Sequence, residues 1–212
     1  MPSHTQQRHH YLAAMGIPLW ESKPIKSQDS WEALQPTALH CTACSLHQTR
    51  TQVVFGMGNH KAKLMLIGEA PGLYEDQQGE PFVGRAGQLL NAMLQSIHLE
   101  RTDVYVANIL KCRPPNNRDP QAHEMQTCVS FLNRQIALVQ PQLLLAVGHI
   151  AAHYLLKTEQ SLSEYRKKTH CYGNRQIPLV VTYHPEYLLR TPRDKAKAYQ
   201  DLQRVKKILA CA

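Results

Sequence analysis

No apolar run in this chain approaches the ~20 residues that a membrane-spanning helix needs. The opening stretch MPSHTQQRHHYLAAMGIPLW lacks the continuous apolar centre of a secretory leader. A cytoplasmic protein without membrane association is therefore expected. Internal repeats and low-complexity tracts are also missing, so neither a solenoid nor a compositionally biased tail is expected. Acid is the scarce charge. There are 16 Asp and Glu against 24 Lys and Arg, a formal net charge of +8 and a pI near 9.2. That balance favours a polyanionic partner, nucleic acid first, although a generally basic surface accounts for the count equally well. Six cysteines in a reducing compartment point away from disulfides and toward metal or redox chemistry.

What is present is enough for one sizeable core: 212 residues, 43% of them apolar. Residues 1–35 are polar and weakly periodic and read as a loosely attached extension, with a short helix around Tyr11–Met15. Residues 36–212 read as a single domain. KLMLI (63–67), DVYVANIL (103–110), QLLLAVG (142–148) and IPLVVTYH (177–184) are short apolar runs bounded by turn residues and are expected as strands. Between them, AGQLLNAMLQSI (86–97) puts Leu89, Leu90, Met93, Leu94 and Ile97 on one helical face. The next helix is expected with Asp119 as N-cap and Pro120 at its first position, with a stripe of Met125, Cys128, Val129, Leu132, Ile136 and Val139. A short helix follows from about Ile150. The last opens at Thr191-Pro192-Arg193-Asp194 as a capping box, with Tyr199, Leu202, Val205 and Ile208 inward. Alternating strands and helices predict an α/β fold, three layers around a mostly parallel four-stranded sheet.

In such sheets ligands bind beyond the carboxyl ends of the strands. Three groups fall there: Gly68-Glu69-Ala70-Pro71-Gly72 after the first strand, Asn108 near the end of the second, and His184-Pro185 at the end of the fourth. Cys41 and Cys44 form a C-x2-C pair, and Cys112 and Cys128 follow 68 and 84 residues after Cys44. Four thiolates can hold zinc or a [4Fe-4S] cluster. Taken alone, Cys128 reads as a core residue of its helix. Cys171 and Cys211 have no evident partners.

GEAPGLYEDQQGEPFVGRAGQLL, VYVANILKCRPPNNRDP and TYHPEYLLR, in this order and with these four cysteines, resemble the family-4 uracil-DNA glycosylases over roughly residues 36–209. The resemblance implies that family's α/β/α fold. It also implies a structural [4Fe-4S] cluster on Cys41, Cys44, Cys112 and Cys128, with no free metal or nucleotide cofactor. The implied reaction is hydrolysis of the deoxyuridine N-glycosidic bond, leaving an abasic site for base-excision repair. The implied partner is uracil-containing DNA, single- or double-stranded, met by a monomer. A related branch that traps DNA covalently carries a basic insertion with a histidine after the second motif. KCRPPNNRDP has neither, so trapping is not expected.

Each requirement of such an enzyme has a candidate. A flipped base needs a pocket with a stacking face, an edge reader and stabilisation of the leaving group. Phe82 is the stacking face, with a core role as its alternative. Asn108 can donate to uracil O4 and accept from N3–H, a pattern that cytosine reverses. His184 can donate to O2 as negative charge grows there. Glu69 is the foremost acid for stabilising the sugar cation and orienting water, with Glu75 and Asp76 as alternatives or as guards against the thymine methyl. Gly68, Pro71 and Gly72 shape a tight turn that lets backbone N–H groups approach the base, and Gly68, Ala70 and Gly72 are candidate base-binding residues. PEYLLRTP is expected to be a loop entering DNA, with Leu188 or Leu189 as an apolar wedge, the other packing inward, and Arg190 on a phosphate. Arg113 and Arg118, with Arg85, Lys111 and Asn117, are candidate backbone contacts. A binding module that lost catalysis would not need Glu69, Asn108 and His184 together. An electron carrier would make the glycosylase motifs surplus.

Overall fold

The structure, a computed structural model, describes Tyr11, Met15 and residues 30–211. Met15 N donates to Tyr11 O at 3.1 Å, one helical turn; the interior of the expected first helix lies outside the described residues. Helix α1 (Trp31–Leu39) is capped by Ser30, whose side chain accepts from Ala33 N, and it buries Leu34 and Ala38. Trp31 and Leu34, which precede the expected boundary at 36, pack in a core cluster with Val53, Phe55 and Phe131.

The elements that follow are strand β1 (Met57–Gly58), strand β2 (Leu64–Gly68), helix α2 (Leu73–Gln78), helix α3 (Arg85–Gln95), strand β3 (Val104–Asn108) and helix α4 (Ala122–Val139). After these come strand β4 (Leu143–Val147), helix α5 (His149–Leu156), helix α6 (Leu162–Arg166), strand β5 (His170–Tyr172), strand β6 (Ile177–Thr182), helix α7 (Pro185–Arg190) and helix α8 (Lys195–Cys211). The sheet order is β1-β3-β2-β4-β6-β5. The four inner strands are parallel, and β1 and β5 pair antiparallel at the two edges. The sheet therefore has six strands rather than the expected four. The two edge strands, MG and HCY, are too short and too polar to register as apolar runs.

Period-two alternation sends neighbouring strand residues to opposite faces. Met65, Ile67, Ala107, Leu144, Ala146 and Val181 face one core with residues of α4 and α5. Leu64, Leu66, Val106, Leu143, Leu145 and Val180 face the other, with Leu90, Met93 and Leu94 of α3 and Leu202 and Val205 of α8. This gives the three layers. Among the described residues no helix is long and apolar enough to cross a membrane.

Four local expectations change. Helix α4 is capped by Gln121, whose N–H donates to Glu124 at 2.8 Å; the Glu124 carboxylate, also gripped by Arg118, sets the start two residues after Asp119. Helix α8 begins at Lys195 after a 3₁₀ turn over Pro192–Asp194, where Thr191 makes no side-chain cap. On that helix Tyr199 is 49% exposed rather than inward. PEYLLR is not a loop: it is α7, with Pro185 at its first turn and Leu188 fully buried.

Candidate active site

The carboxyl ends of β2, β3 and β6 open into one cleft of about 690 Å³. In the parallel register Gly68 lies directly beside Asn108. A Cβ at Gly68 would sit 2.4 Å from Asn108 Oδ1 and 2.8 Å from Phe82 Cζ, so only glycine lets the reader and the ring meet there. Phe82 holds a positive φ of 56° in the turn before α3, and Gly87 of α3 packs so closely that a Cβ would reach 1.7 Å from the Phe82 carbonyl. The Phe82 and His184 rings are 5.6 Å apart, tilted by 33°. Gly68→Ala is expected to displace both Asn108 and Phe82 and to lower turnover by about 10²-fold, read against an unchanged fold by circular dichroism.

Asn108 is 2% exposed, and its carboxamide oxygen has no hydrogen-bond partner among the described residues. A buried polar atom left open at the bottom of a cleft is a ready-made ligand contact. His184 is the N-cap of α7, and its Nδ1 accepts from Glu186 N at 3.2 Å. Burial pushes its imidazole down to about 4, with Glu75 opposing and Arg190 assisting. The ring is therefore neutral near pH 7, and with Nδ1 accepting, its proton resides on Nε2. Gly148, at φ 97°, follows β4 and lies beside it; a Cβ there would come 3.2 Å from His184 Cβ.

The three acids separate. The Glu69 carboxyl is desolvated and pushed up to about 7, with Asp119 adding to the rise. Glu75 lines the cleft too, but its carboxylate accepts from Val83 N at 3.0 Å and Gly84 N at 3.2 Å, tying down the turn that carries Phe82. Asp76 is buried away from the cleft and accepts from Thr51 N at 2.9 Å and from Gln52 N, a purely architectural duty. The acid-rich stretch is thus one desolvated carboxyl in the cleft and two that hold loops.

Cys41 and Cys44 after α1, Cys112 after β3 and Cys128 in α4 line one small cavity with Arg50, Lys111 and Phe131. None is in a disulfide. Arg50 donates to Cys112 Sγ at 3.1 Å and Lys111 N donates to Cys128 Sγ at 3.3 Å. Burial pushes the Cys112 thiol up and the Cys128 thiol up to about 11. Such thiols ionise only when a positive centre compensates for the lost water. Among the described residues no group of three or more His, Cys, Asp and Glu is arranged to hold a single metal ion.

The uracil-DNA glycosylase superfamily model matches residues 55–203. The type-4 uracil-DNA glycosylase of Archaeoglobus fulgidus is 39% identical over 173 residues, covering 79% of this chain and 87% of that protein. The type-4 enzyme of Pyrobaculum aerophilum is 40% identical over 171 residues, 77% of this chain and 86% of that protein. That of Thermotoga maritima is 37% identical over 187 residues, 86% of this chain and 96% of that protein. The chain belongs to the type-4 uracil-DNA glycosylase family.

For this family member, the candidates Glu69, Ala70, Gly72, Glu75, Phe82, Asn108, Arg118, His184 and Arg190 all line the one cleft, and Gly68 lies beneath it. Leu188 packs into the core and is no wedge, which leaves the half-exposed Leu189. Arg113 lies outside the cleft, with Nε on Asn117 Oδ1 at 2.7 Å. Arg118 is engaged by Glu124 at 2.9 Å, though it still reaches the cleft wall. Lys111 is 2% exposed and makes no surface contact. Tyr74 and Tyr187, 58% and 36% exposed, also line the cleft and were missed by motif reading; their signal was an aromatic residue within the first and the third motif.

Proposed function

We propose that this chain is a monofunctional uracil-DNA glycosylase that flips deoxyuridine from DNA and hydrolyses its N-glycosidic bond, acting as a cytoplasmic monomer. The observation that carries the reading is the meeting of Glu69, Phe82, Asn108 and His184 in one cleft at the strand ends. The flipped base stacks on Phe82. The Asn108 carboxamide reads the O4 and N3–H edge. The neutral His184 donates from Nε2 toward O2, where charge develops as the bond breaks, and it costs no reorganisation to do so. The Glu69 carboxylate stabilises the sugar cation and orients water toward C1′. Arg190 and Arg118 meet phosphates, and Leu189 fills the gap left by the base.

Cys41, Cys44, Cys112 and Cys128 hold a [4Fe-4S] cluster in this reading. The support is an all-sulfur donor set lining one small cavity. The cluster cross-links α1, the segment after β3 and α4. Four irons per chain by elemental analysis are expected; one zinc per chain and no iron would overturn this part.

The test is single-turnover excision from an oligonucleotide holding one deoxyuridine, followed by alkaline cleavage. Wild type cleaves, and Glu69→Gln is expected to be slower by about 10²-fold. Since the working form of Glu69 is the carboxylate, kcat/KM climbs with pH up to about 7 and levels off above it, and Glu69→Gln flattens the profile. Stability runs the other way. The folded-state pKa is raised from 4.5 to about 7, so the folded protein binds the extra proton, and stability falls as pH rises across that window. Glu69→Gln therefore raises Tm at pH 8 but not at pH 4. An inactive wild type, iron-loaded and folded, would overturn the proposed activity.

A further inference from the structure

Lys111 stands in the sequence between Asn108, the last residue of β3, and Cys112. Its Nζ donates to the Asn108 backbone carbonyl at 2.8 Å and to Gln135 Oε1 at 2.6 Å. Gln135, buried in α4, gives its amide nitrogen to the Phe55 carbonyl at 2.8 Å and the Tyr105 hydroxyl at 3.1 Å. A buried polar chain thus runs from α4 to the peptide that carries the base-reading side chain. Past Asn108, the N–H groups of Ile109 and Leu110 go to the carbonyls of Gly68 and Glu69. Among the described residues the carboxamide oxygen has no hydrogen-bond partner, so its direction is set by where its peptide sits and by the close approach of Gly68. A methionine would fill the same space without the cost of burying an amine. Packing alone therefore does not account for a lysine there.

We propose that Lys111 is a positioning residue for base reading: its Nζ fixes the Asn108 peptide and through it the angle at which the carboxamide meets the uracil edge. The inference rests on the uracil-reading role of Asn108. Its effect is on rate and base selection, not on DNA binding, because Lys111 makes no contact with the surface.

The test uses iron-loaded Lys111→Met and Lys111→Arg, and Lys111→Met combined with Asn108→Ala. Single-turnover rates at saturating enzyme report on each bound complex, whatever fraction of the preparation is active. Lys111→Met is expected to slow uracil excision by about 10²-fold while its Kd for a duplex with a tetrahydrofuran abasic site stays within about twofold of wild type. Lys111→Arg is expected to recover about a tenth or more of the rate. In the Asn108→Ala background Lys111→Met is expected to cost less than about threefold, because the group it aims is gone. Equal losses in both backgrounds, or a wild-type rate for Lys111→Met, overturn the proposal. Should Lys111→Met not fold, Gln135→Met removes the second Nζ partner and goes through the same cycle with the same deciding outcomes. A wild type that binds DNA but leaves uracil in place overturns the proposed function first, and the inference falls with it.

Discussion

Asn108→Asp is expected to slow single-turnover excision of uracil by about 10³-fold. The size follows from the site. Asn108 is 2% exposed at the bottom of the cleft, so no water can substitute for a lost contact. The carboxamide supplies one donor and one acceptor; the introduced carboxylate supplies two acceptors, so uracil O4 meets a like charge instead of an N–H. Cytosine presents an amino donor at that place. The same substitution should therefore raise the ratio of cytosine to uracil excision, even while both rates are low. Measuring both rates with matched oligonucleotides separates lost reading from lost folding, because misfolding lowers both together. A uracil rate equal to wild type would remove Asn108 from the reading role.

His184→Ala is expected to lower the rate of the chemical step by about 10³-fold with little change in affinity for an abasic-site duplex. The imidazole has two duties that one substitution confounds. Nδ1 caps α7 by accepting from Glu186 N, and the proton on Nε2 leaves that atom as the donor of a residue that lines the cleft. Losing the cap costs about 1 kcal/mol of stability. His184→Asn separates the duties, since asparagine restores a capping oxygen but presents no donor at the reach of Nε2. Similar rate losses in both variants, with Tm recovered only in His184→Asn, assign the effect to the donor. Because burial holds the imidazole near 4, it stays neutral from pH 6 to 9, and the pH dependence there belongs to Glu69. A loss of DNA affinity with an intact chemical rate would instead make His184 a docking residue.

Much of the fold was legible because burial writes itself into strands as continuous apolar runs. KLMLI, DVYVANIL, QLLLAVG and IPLVVTYH each overlap an inner parallel strand, with one to three residues too many at one or both ends. The edge strands were not legible: two or three half-exposed residues that gain only backbone bonds leave no hydrophobic pattern. The start of α4 was misread for a related reason. Asp119-Pro120 is a good local cap signal, but the Glu124 carboxylate, paired with Arg118, closes on Gln121 instead. Tyr199 shows the same limit on the last helix, where periodicity names a face without saying what covers it.

For the site, the sequence by itself determined which residue types were available and at which strand ends. Glu69, Asn108 and His184 follow β2, end β3 and follow β6, and parallel strands deliver such positions to one edge whatever the loops do. Only the tertiary structure decided what each group does there. Three acids sit within eight residues, and neither their chemistry nor their spacing distinguishes them. Burial and partners do: Asp76 is consumed by two backbone N–H groups, Glu75 by two more, and Glu69 is left desolvated in the cleft. Leu188 and Leu189 are adjacent and identical, yet the turn of α7 sends one into the core and leaves the other half-exposed. Lys111 was a candidate DNA-backbone contact on its charge alone. Its neighbours in space are a strand-end carbonyl and a buried glutamine from a helix more than twenty residues away. Local sequence encodes the period of burial, whereas the partner of a polar group is set by segments far off in the chain, and that is why roles had to wait for the fold.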